Sequence, residues 1–240
     1  MKIVRLKGGS MLEEIKFDEK YINDCIKNID TKLKEYIKNN IMPEYDLNDK
    51  GHNKNHIEFV LKRALEISKN YNIDYNMLYT CVTYHDIACH INREKHEILS
   101  AEIAFNDKFL KEYFSVEDLK IIKDAIEDHR ASSSLVPRNI YGKILSSADR
   151  KVSIKEYLIA SLFFGQPDIN KINMEEAINQ SYEHAIKKFG KEGYATNKFY
   201  VEDNRYKKFL NDLQSLIDNK KEFYRLASIV FKEVKEGKYE

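Results

Sequence analysis

Turn-forming residues are scarce in this chain, whose 240 residues include only 8 glycines and 3 prolines. Sandwiches and barrels built from many short strands need frequent turns, so this scarcity argues against them and favours helices. Apolar residues recur every three or four positions along most of the sequence, which is the spacing of an amphipathic helix. The sequence therefore predicts an all-α fold of roughly eight to ten helices.

The charge of the chain is balanced, with 40 lysines and arginines against 39 aspartates and glutamates. This balance removes the main electrostatic reason to expect binding to nucleic acid. The three cysteines, Cys25, Cys81 and Cys89, are too few for a disulfide framework and predict reduced thiols in a cytoplasmic protein. Because no apolar run approaches the length of a secretory signal or a membrane span, we expect no membrane association.

Several residues predict where individual helices begin and end. Asp74 has the position of an N-cap, and Ser115 with Asp118 fits a capping box in which Asp replaces Glu. Gly190 follows a helical segment at a C-terminal cap position. Spacing also predicts helical patterns over Met11–Asn40, His96–Phe109 and Ile140–Ser153, among others, and a short strand is predicted at Ile3–Leu6.

The pair His85-Asp86 is the local feature that most strongly indicates chemistry, because it lies inside the apolar run Met77–Ala88. An ionised Asp in such a run is costly unless it is paired, hydrogen-bonded or bound to a metal. Taken alone, a satisfied core pair and a metal site explain it equally well.

Other potential metal ligands lie where a helix is expected to face the core. His56 begins the apolar face of one predicted helix, His129 ends that of another, and Asp149 lies on the inner face of a third. Imidazole nitrogens and carboxylate oxygens together suit a divalent ion such as Mn, Fe, Co, Ni, Zn or Mg. Spacing alone does not show that these residues meet in space.

The order of these residues resembles that of the HD superfamily of metal-dependent phosphohydrolases. The resemblance covers residues of about 50–160, and more weakly Tyr182 to Glu222 as in one bacterial branch of small HD proteins. Five local contexts carry it: His56-Ile-Glu-Phe-Val with Ala64, Thr83-Tyr-His-Asp-Ile87, His96-Glu-Ile-Leu-Ser-Ala101, Ala125-Ile-Glu-Asp-His129 and Ala148-Asp149-Arg150.

This resemblance implies a helical HD bundle that hydrolyses a small phosphomonoester or nucleotide. It also implies an N-terminal helical extension over 1–44, a metal-binding core over 45–165, and C-terminal helices over 166–240 packed on that core. The implied metal ligands are His56, His85, Asp86 and Asp149; His96 and His129 are implied to hold a second metal or contact phosphate; Asp86 and His129 are expected to be catalytic.

Cations near these residues are candidates for holding the substrate phosphate, since a guanidinium presents a fork of donors. Arg150 is the foremost, because it directly follows Asp149. Arg93, Arg130 and Lys143 are others, and a solvated cation is the alternative for each. His52 lies four residues before His56 and shares a face with it only if that helix begins early. Cys81 and Cys89 flank His85 four residues before and after it, and core packing is favoured over a thiolate ligand for both.

The connection from Asp86 to His96 is short, which predicts that His96 is held back and that one ion is bound tightly. Two other functions stay open. In some HD relatives a pair of irons carries out oxygenation, and a non-catalytic nucleotide-binding protein is the other alternative. The expected partner in all cases is a small molecule, with no nucleic acid and no membrane.

Overall fold

The computed structural model of the chain describes residues 11–131, 133, 135–164 and 171–237. This part of the chain contains twelve α-helices and no strand, so the predicted all-α fold is confirmed. The strand predicted at Ile3–Leu6 lies outside the described residues. No helix in the described ranges is both long enough and apolar enough to cross a bilayer.

The described residues form two compact units. The larger unit comprises Phe17–Arg150 with Phe199–Asp203, and the smaller unit comprises the remaining described residues. The larger unit contains α1 Glu19–Lys27, α2 Thr31–Tyr36, α3 Lys54–Ser68, α4 Tyr75–Tyr84, α5 His96–Asn106, α6 Lys108–Tyr113, α7 Val116–Glu127 and α8 Ile140–Ala148. The smaller unit contains α9 Ile154–Leu162, α10 Met174–Phe189, α11 Asn204–Asp218 and α12 Lys220–Lys235.

Helix α4 lies at the centre of the larger unit, where it packs against α3, α5, α7 and α8. Most of its residues are buried, including the hydroxyl-bearing Thr80 and Thr83. Their hydroxyls donate to the carbonyls of Asn76 and Tyr79, at 2.8 and 2.9 Å, so neither hydroxyl is buried without a partner. The C-terminal end of α4, which is followed by His85 and Asp86, therefore lies inside the bundle.

Capping side chains fix the ends of several helices. Asp74 accepts from the amides of Asn76 and Met77, which confirms it as the N-cap of α4. Ser115 caps α7 by accepting from the amide of Asp118 at 3.1 Å, and its hydroxyl in turn donates to the Asp118 carboxylate. In a standard capping box, the side chain three residues after the cap accepts a hydrogen bond from the backbone amide of the cap residue. Here the Asp118 carboxylate accepts from the hydroxyl of Ser115 instead.

Gly190 ends α10 as predicted, but for a different physical reason than an αL cap. Its φ is −62°, so no left-handed backbone is needed there. A Cβ at this position would lie 2.5 Å from the carbonyl oxygen of Ile186. Glycine is therefore required by the close approach of the backbone to the preceding turn.

The three segments with a continuous helical pattern are each interrupted. Residues 11–17 are not helical, and α1, α2, α6 and α9 each begin after an aspartate or serine side chain that accepts a backbone amide. At α1, α2 and α6 the apolar spacing continues into the core of the larger unit, whereas α9 packs in the core of the smaller unit. The capping residues at these starts are Asp18 before α1, Asp30 before α2, Asp107 before α6 and Ser153 before α9.

The predicted regions 1–44, 45–165 and 166–240 stay predictions, because compactness alone does not define an independently folding domain.

The segment Phe199–Asp203 is anchored in the larger unit. Asp203 forms a buried ion pair with Arg63 of α3 at 2.5 Å, and Arg63 also contacts Glu66 at 3.0 Å. The Tyr71 hydroxyl accepts from the amide of Glu202 at 3.0 Å.

We expect Asp203→Ala to lower the free energy of unfolding by about 3 kcal/mol, because the buried guanidinium of Arg63 loses a carboxylate. Urea denaturation measures this change. The matched control is Asp24→Ala, which removes an exposed pair with Lys27 and should change stability by less than about 0.5 kcal/mol. Equal effects of the two substitutions would contradict the role assigned to the buried pair.

Candidate metal centre

The pair His85-Asp86 stands at the buried C-terminal end of α4. His85 is the C-cap residue, and both side chains are almost completely inaccessible to solvent. The Nδ1 of His85 lies 2.7 Å from the carbonyl of Val82 and donates to it. The apolar run around this pair in the sequence thus corresponds to the largely buried helix α4 and the buried turn that follows it.

The four other predicted metal-site residues also lie at helix ends, and the bundle brings those ends together around Asp86. His56 lies in the first turn of α3, and His96 is the first residue of α5. His129 follows the end of α7, and Asp149 is the C-cap residue of α8. The position of each of these residues is therefore set by where its helix begins or ends.

Asp86 directs its two carboxylate oxygens to two different pairs of imidazoles. Its Oδ2 lies 3.2 Å from Nε2 of His85 and 3.5 Å from Nε2 of His56. Its Oδ1 lies 3.3 Å from Nε2 of His96 and 3.5 Å from Nε2 of His129. One carboxylate is therefore shared between two sets of nitrogen donors.

Asp149 completes the first of these sets. Its Oδ1 lies 3.1 Å from Nε2 of His56 and 4.0 Å from Nε2 of His85. The ligand atoms of His56, His85 and Asp149 all lie within 4.8 Å of one another, a spacing that a single ion can bridge. Asp149 is also the most exposed member, with 24% of its side chain accessible, so the centre meets solvent on this side.

Backbone carbonyls orient three of the imidazoles. The Nδ1 atoms of His85, His96 and His129 lie 2.7, 2.9 and 2.6 Å from the carbonyl oxygen three residues earlier. Because Nδ1 donates to the carbonyl, a neutral ring presents the lone pair of Nε2 towards Asp86. A hydrogen bond from the ring nitrogen that does not bind the metal, here Nδ1, is the usual support of a metal-ligating histidine.

The donor set has unsatisfied atoms that a cation would satisfy. Nε2 of His56 and Nε2 of His85 are buried and form no hydrogen bond among the described residues, although each lies near a carboxylate oxygen. Nε2 of His96 and Nε2 of His129 are only 3.3 Å apart, and two neutral lone pairs at that distance repel each other unless a proton or a cation lies between them. Four imidazoles and two carboxylates thus fit divalent ions.

Protons take the place of cations in the metal-free centre. Burial alone lowers the pKa of His56, but the carboxylates of Asp149 and Asp86 outweigh it and raise that pKa to about 9. The pKa values of His85 and His96 are raised despite burial for the same reason. Burial raises the pKa of Asp149, but the nearby imidazoles outweigh burial and lower it to about 2.

His96 reaches Asp86 in spite of the short connection between them, so the expectation that this connection holds His96 back is wrong. The ring of His52 lies 5.7 Å from that of His56, centroid to centroid, which places His52 beside the centre. Arg150 is buried with its guanidinium 5.4 Å from the Tyr200 ring, and its role with substrate stays a prediction. Arg130 donates to the carbonyl of Glu94.

Asn48 supports the centre and had no signal in the sequence, because it lies in a polar connection without periodicity. Its Nδ2 donates to the carbonyls of Asp86 and His52, both at 3.0 Å. Its Oδ1 accepts from the amide of His90 at 2.9 Å. The thiol of Cys89 also lies near Asp86 and His96. Burial, with Asp86 nearby, raises the pKa of that thiol, so it is a neutral thiol in the metal-free protein.

Residues 54–152 match the family model of the HD domain. This span includes all six residues that meet around Asp86, and it is similar to the HD-domain superfamily. HD domains bind divalent metals and are generally hydrolases. No curated protein and no solved structure matches the chain.

The metal-free protein should lose stability as the pH rises from 6.5 to about 9. The pKa of His56 is 6.5 in the unfolded chain and about 9 in the folded one. Protonation of His56 therefore stabilises the folded state. This stabilisation is fully present below pH 6.5 and is lost above about pH 9. Urea denaturation of chelator-treated protein at the two pH values measures the change.

The matched control for this pH dependence is a histidine outside the centre. His56→Gln should reduce the loss of stability, whereas His184→Gln, in α10, should leave it as in the wild type. Stability that rises over this pH range, or equal slopes in all three proteins, would contradict the electrostatic description of the centre.

Proposed function

We propose that this chain is a metal-dependent phosphohydrolase that acts on a phosphomonoester or nucleotide. His56, His85 and Asp149 would hold one divalent ion together with Oδ2 of Asp86. His96 and His129 would hold a second ion together with Oδ1 of Asp86. The observation that carries this proposal is the division of the two Asp86 oxygens between two imidazole pairs. Two ions are favoured over one because His96 reaches Asp86.

A bound divalent ion lowers the pKa of a coordinated water and polarises a phosphoryl oxygen. The protein's own contribution is to hold the ligand rings in one orientation, through the carbonyl contacts of His85, His96 and His129. Substrate would approach on the side of Asp149, the most accessible of the six residues. His129 has only 2% of its side chain accessible, which favours a ligand role over direct contact with phosphate.

The most informative experiment is elemental analysis of the purified protein together with a phosphatase screen. We expect bound divalent metal, and phosphate release from one or more nucleotides or sugar phosphates that stops with chelator and returns with Mn²⁺. Bound iron with oxygen consumption and no phosphate release would contradict hydrolysis and indicate an oxygenase. Nucleotide binding without turnover in any metal would indicate a non-catalytic binding protein.

Asp86→Ala should remove bound metal and reduce phosphohydrolase activity by more than about 100-fold, because both proposed ions share this carboxylate. Elemental analysis and phosphate release measure the two effects. Asp203→Ala is the matched control: it also removes a buried aspartate, but one that faces Arg63, so it should lose stability and keep its metal. A metal-replete, active Asp86→Ala protein would refute the proposed centre.

A further inference from the structure

A charged cluster of Asp49, His52 and Arg93 borders the proposed metal centre, and none of the three belongs to the proposed ligand set. Arg93 donates from Nη1 to Oδ2 of Asp49 at 2.6 Å. Nδ1 of His52 lies 2.9 Å from Oδ1 of Asp49, and the guanidinium nitrogens of Arg93 lie 2.9 and 3.3 Å from the two ring nitrogens of His52. The three side chains therefore form one connected group.

This cluster is attached to the centre at two points. The ring of His52 lies against that of His56, with 5.7 Å between centroids. The carbonyl of Arg93 accepts from Nδ1 of His96 at 2.9 Å, so the backbone of Arg93 orients a ligand of the second proposed ion. The Arg93 side chain is nevertheless 51% accessible. The guanidinium of Arg93 therefore faces solvent, and the His52 ring lies between it and the proposed ligand His56.

The cluster has more hydrogen-bond donors than acceptors. The Asp49 carboxylate faces the Arg93 guanidinium, the His52 ring and the amide of Gly51. Nδ1 of His52 lies within hydrogen-bonding distance of both Asp49 and Arg93, but it cannot donate to one and accept from the other at once. Within the described ranges, Asp49 is the carboxylate that pairs with Arg93. An incoming anion would satisfy the surplus donors, while Asp49 keeps the guanidinium in place.

We infer that Arg93 and His52 bind a second anionic group of the substrate, distinct from the phosphoryl group that is hydrolysed. The substrate class is therefore a phosphate ester with a further phosphate, such as a nucleoside diphosphate or bisphosphate. Arg93 contacts His52, and His52 contacts His56, so the guanidinium stands beyond the ligands and not among them. This inference rests on the proposed function of the metal centre.

The test compares Arg93→Gln with the wild type, both loaded with Mn²⁺, on two kinds of substrate. One is p-nitrophenyl phosphate, which carries a single phosphate, and the other is a set of adenosine diphosphate and adenosine 3′,5′-bisphosphate. We expect the substitution to lower kcat/KM for the second kind about 10-fold to 100-fold more than for p-nitrophenyl phosphate, since charge-assisted hydrogen bonds are lost. Arg93→Lys should restore part of that difference, and metal content should not change.

Arg225→Gln is the matched control, because Arg225 is an exposed arginine of α12 that pairs with Glu222 and should affect neither substrate. An equal loss on both kinds of substrate, or no loss on either, would overturn the inference. If the wild type hydrolyses nothing with any metal, the proposed function fails separately. Calorimetric titration of Mn²⁺-loaded protein with inorganic pyrophosphate then tests Arg93: weaker binding by Arg93→Gln supports the inference, and equal binding refutes it.

Discussion

A carboxylate buried at the end of the central helix is the constraint on which the larger unit depends. Asp86 has almost no contact with solvent, and burial alone would raise its pKa. The surrounding imidazoles, with His85 first among them, outweigh burial and hold the pKa of Asp86 well below its usual range. An ionised group in such a place needs several compensating partners. The bundle supplies these partners because two other helices begin beside Asp86 and two others end beside it.

The ends of helices are suited to this task, because they combine fixed position with free backbone groups. His56 and His96 lie in the first turns of their helices, whereas His85 and Asp149 are C-cap residues. The carbonyls near these ends orient the imidazole rings. Hydrogen bonds from the Asn48 amide to the carbonyls of Asp86 and His52 join the turns at these two residues. The Asp49–His52–Arg93 cluster therefore lies beside the centre. Metal binding and recognition of a second anion would thus use the same framework.

The helices and the buried pair His85-Asp86 were predictable from local sequence patterns, whereas the grouping of the other four residues around Asp86 was implied only by the resemblance to the HD superfamily. Apolar spacing gives the helices, and the charged pair His85-Asp86 inside an apolar run marks the buried site. The interruptions at Asp30 and Asp107 were not predictable from spacing, since a capping side chain restarts the helix without changing its apolar face. The pairing of Arg63 with Asp203 joins residues far apart in the sequence, and no local pattern encodes it.

Anomalous X-ray diffraction from crystals of the Mn²⁺-loaded protein tests most simply whether two metal ions share Asp86. We expect two anomalous peaks roughly 3.5–4 Å apart, on either side of the Asp86 carboxylate. One should lie beside His56, His85 and Asp149, and the other beside His96 and His129. A single peak, or manganese bound away from Asp86, would show that this carboxylate is not shared by two ions.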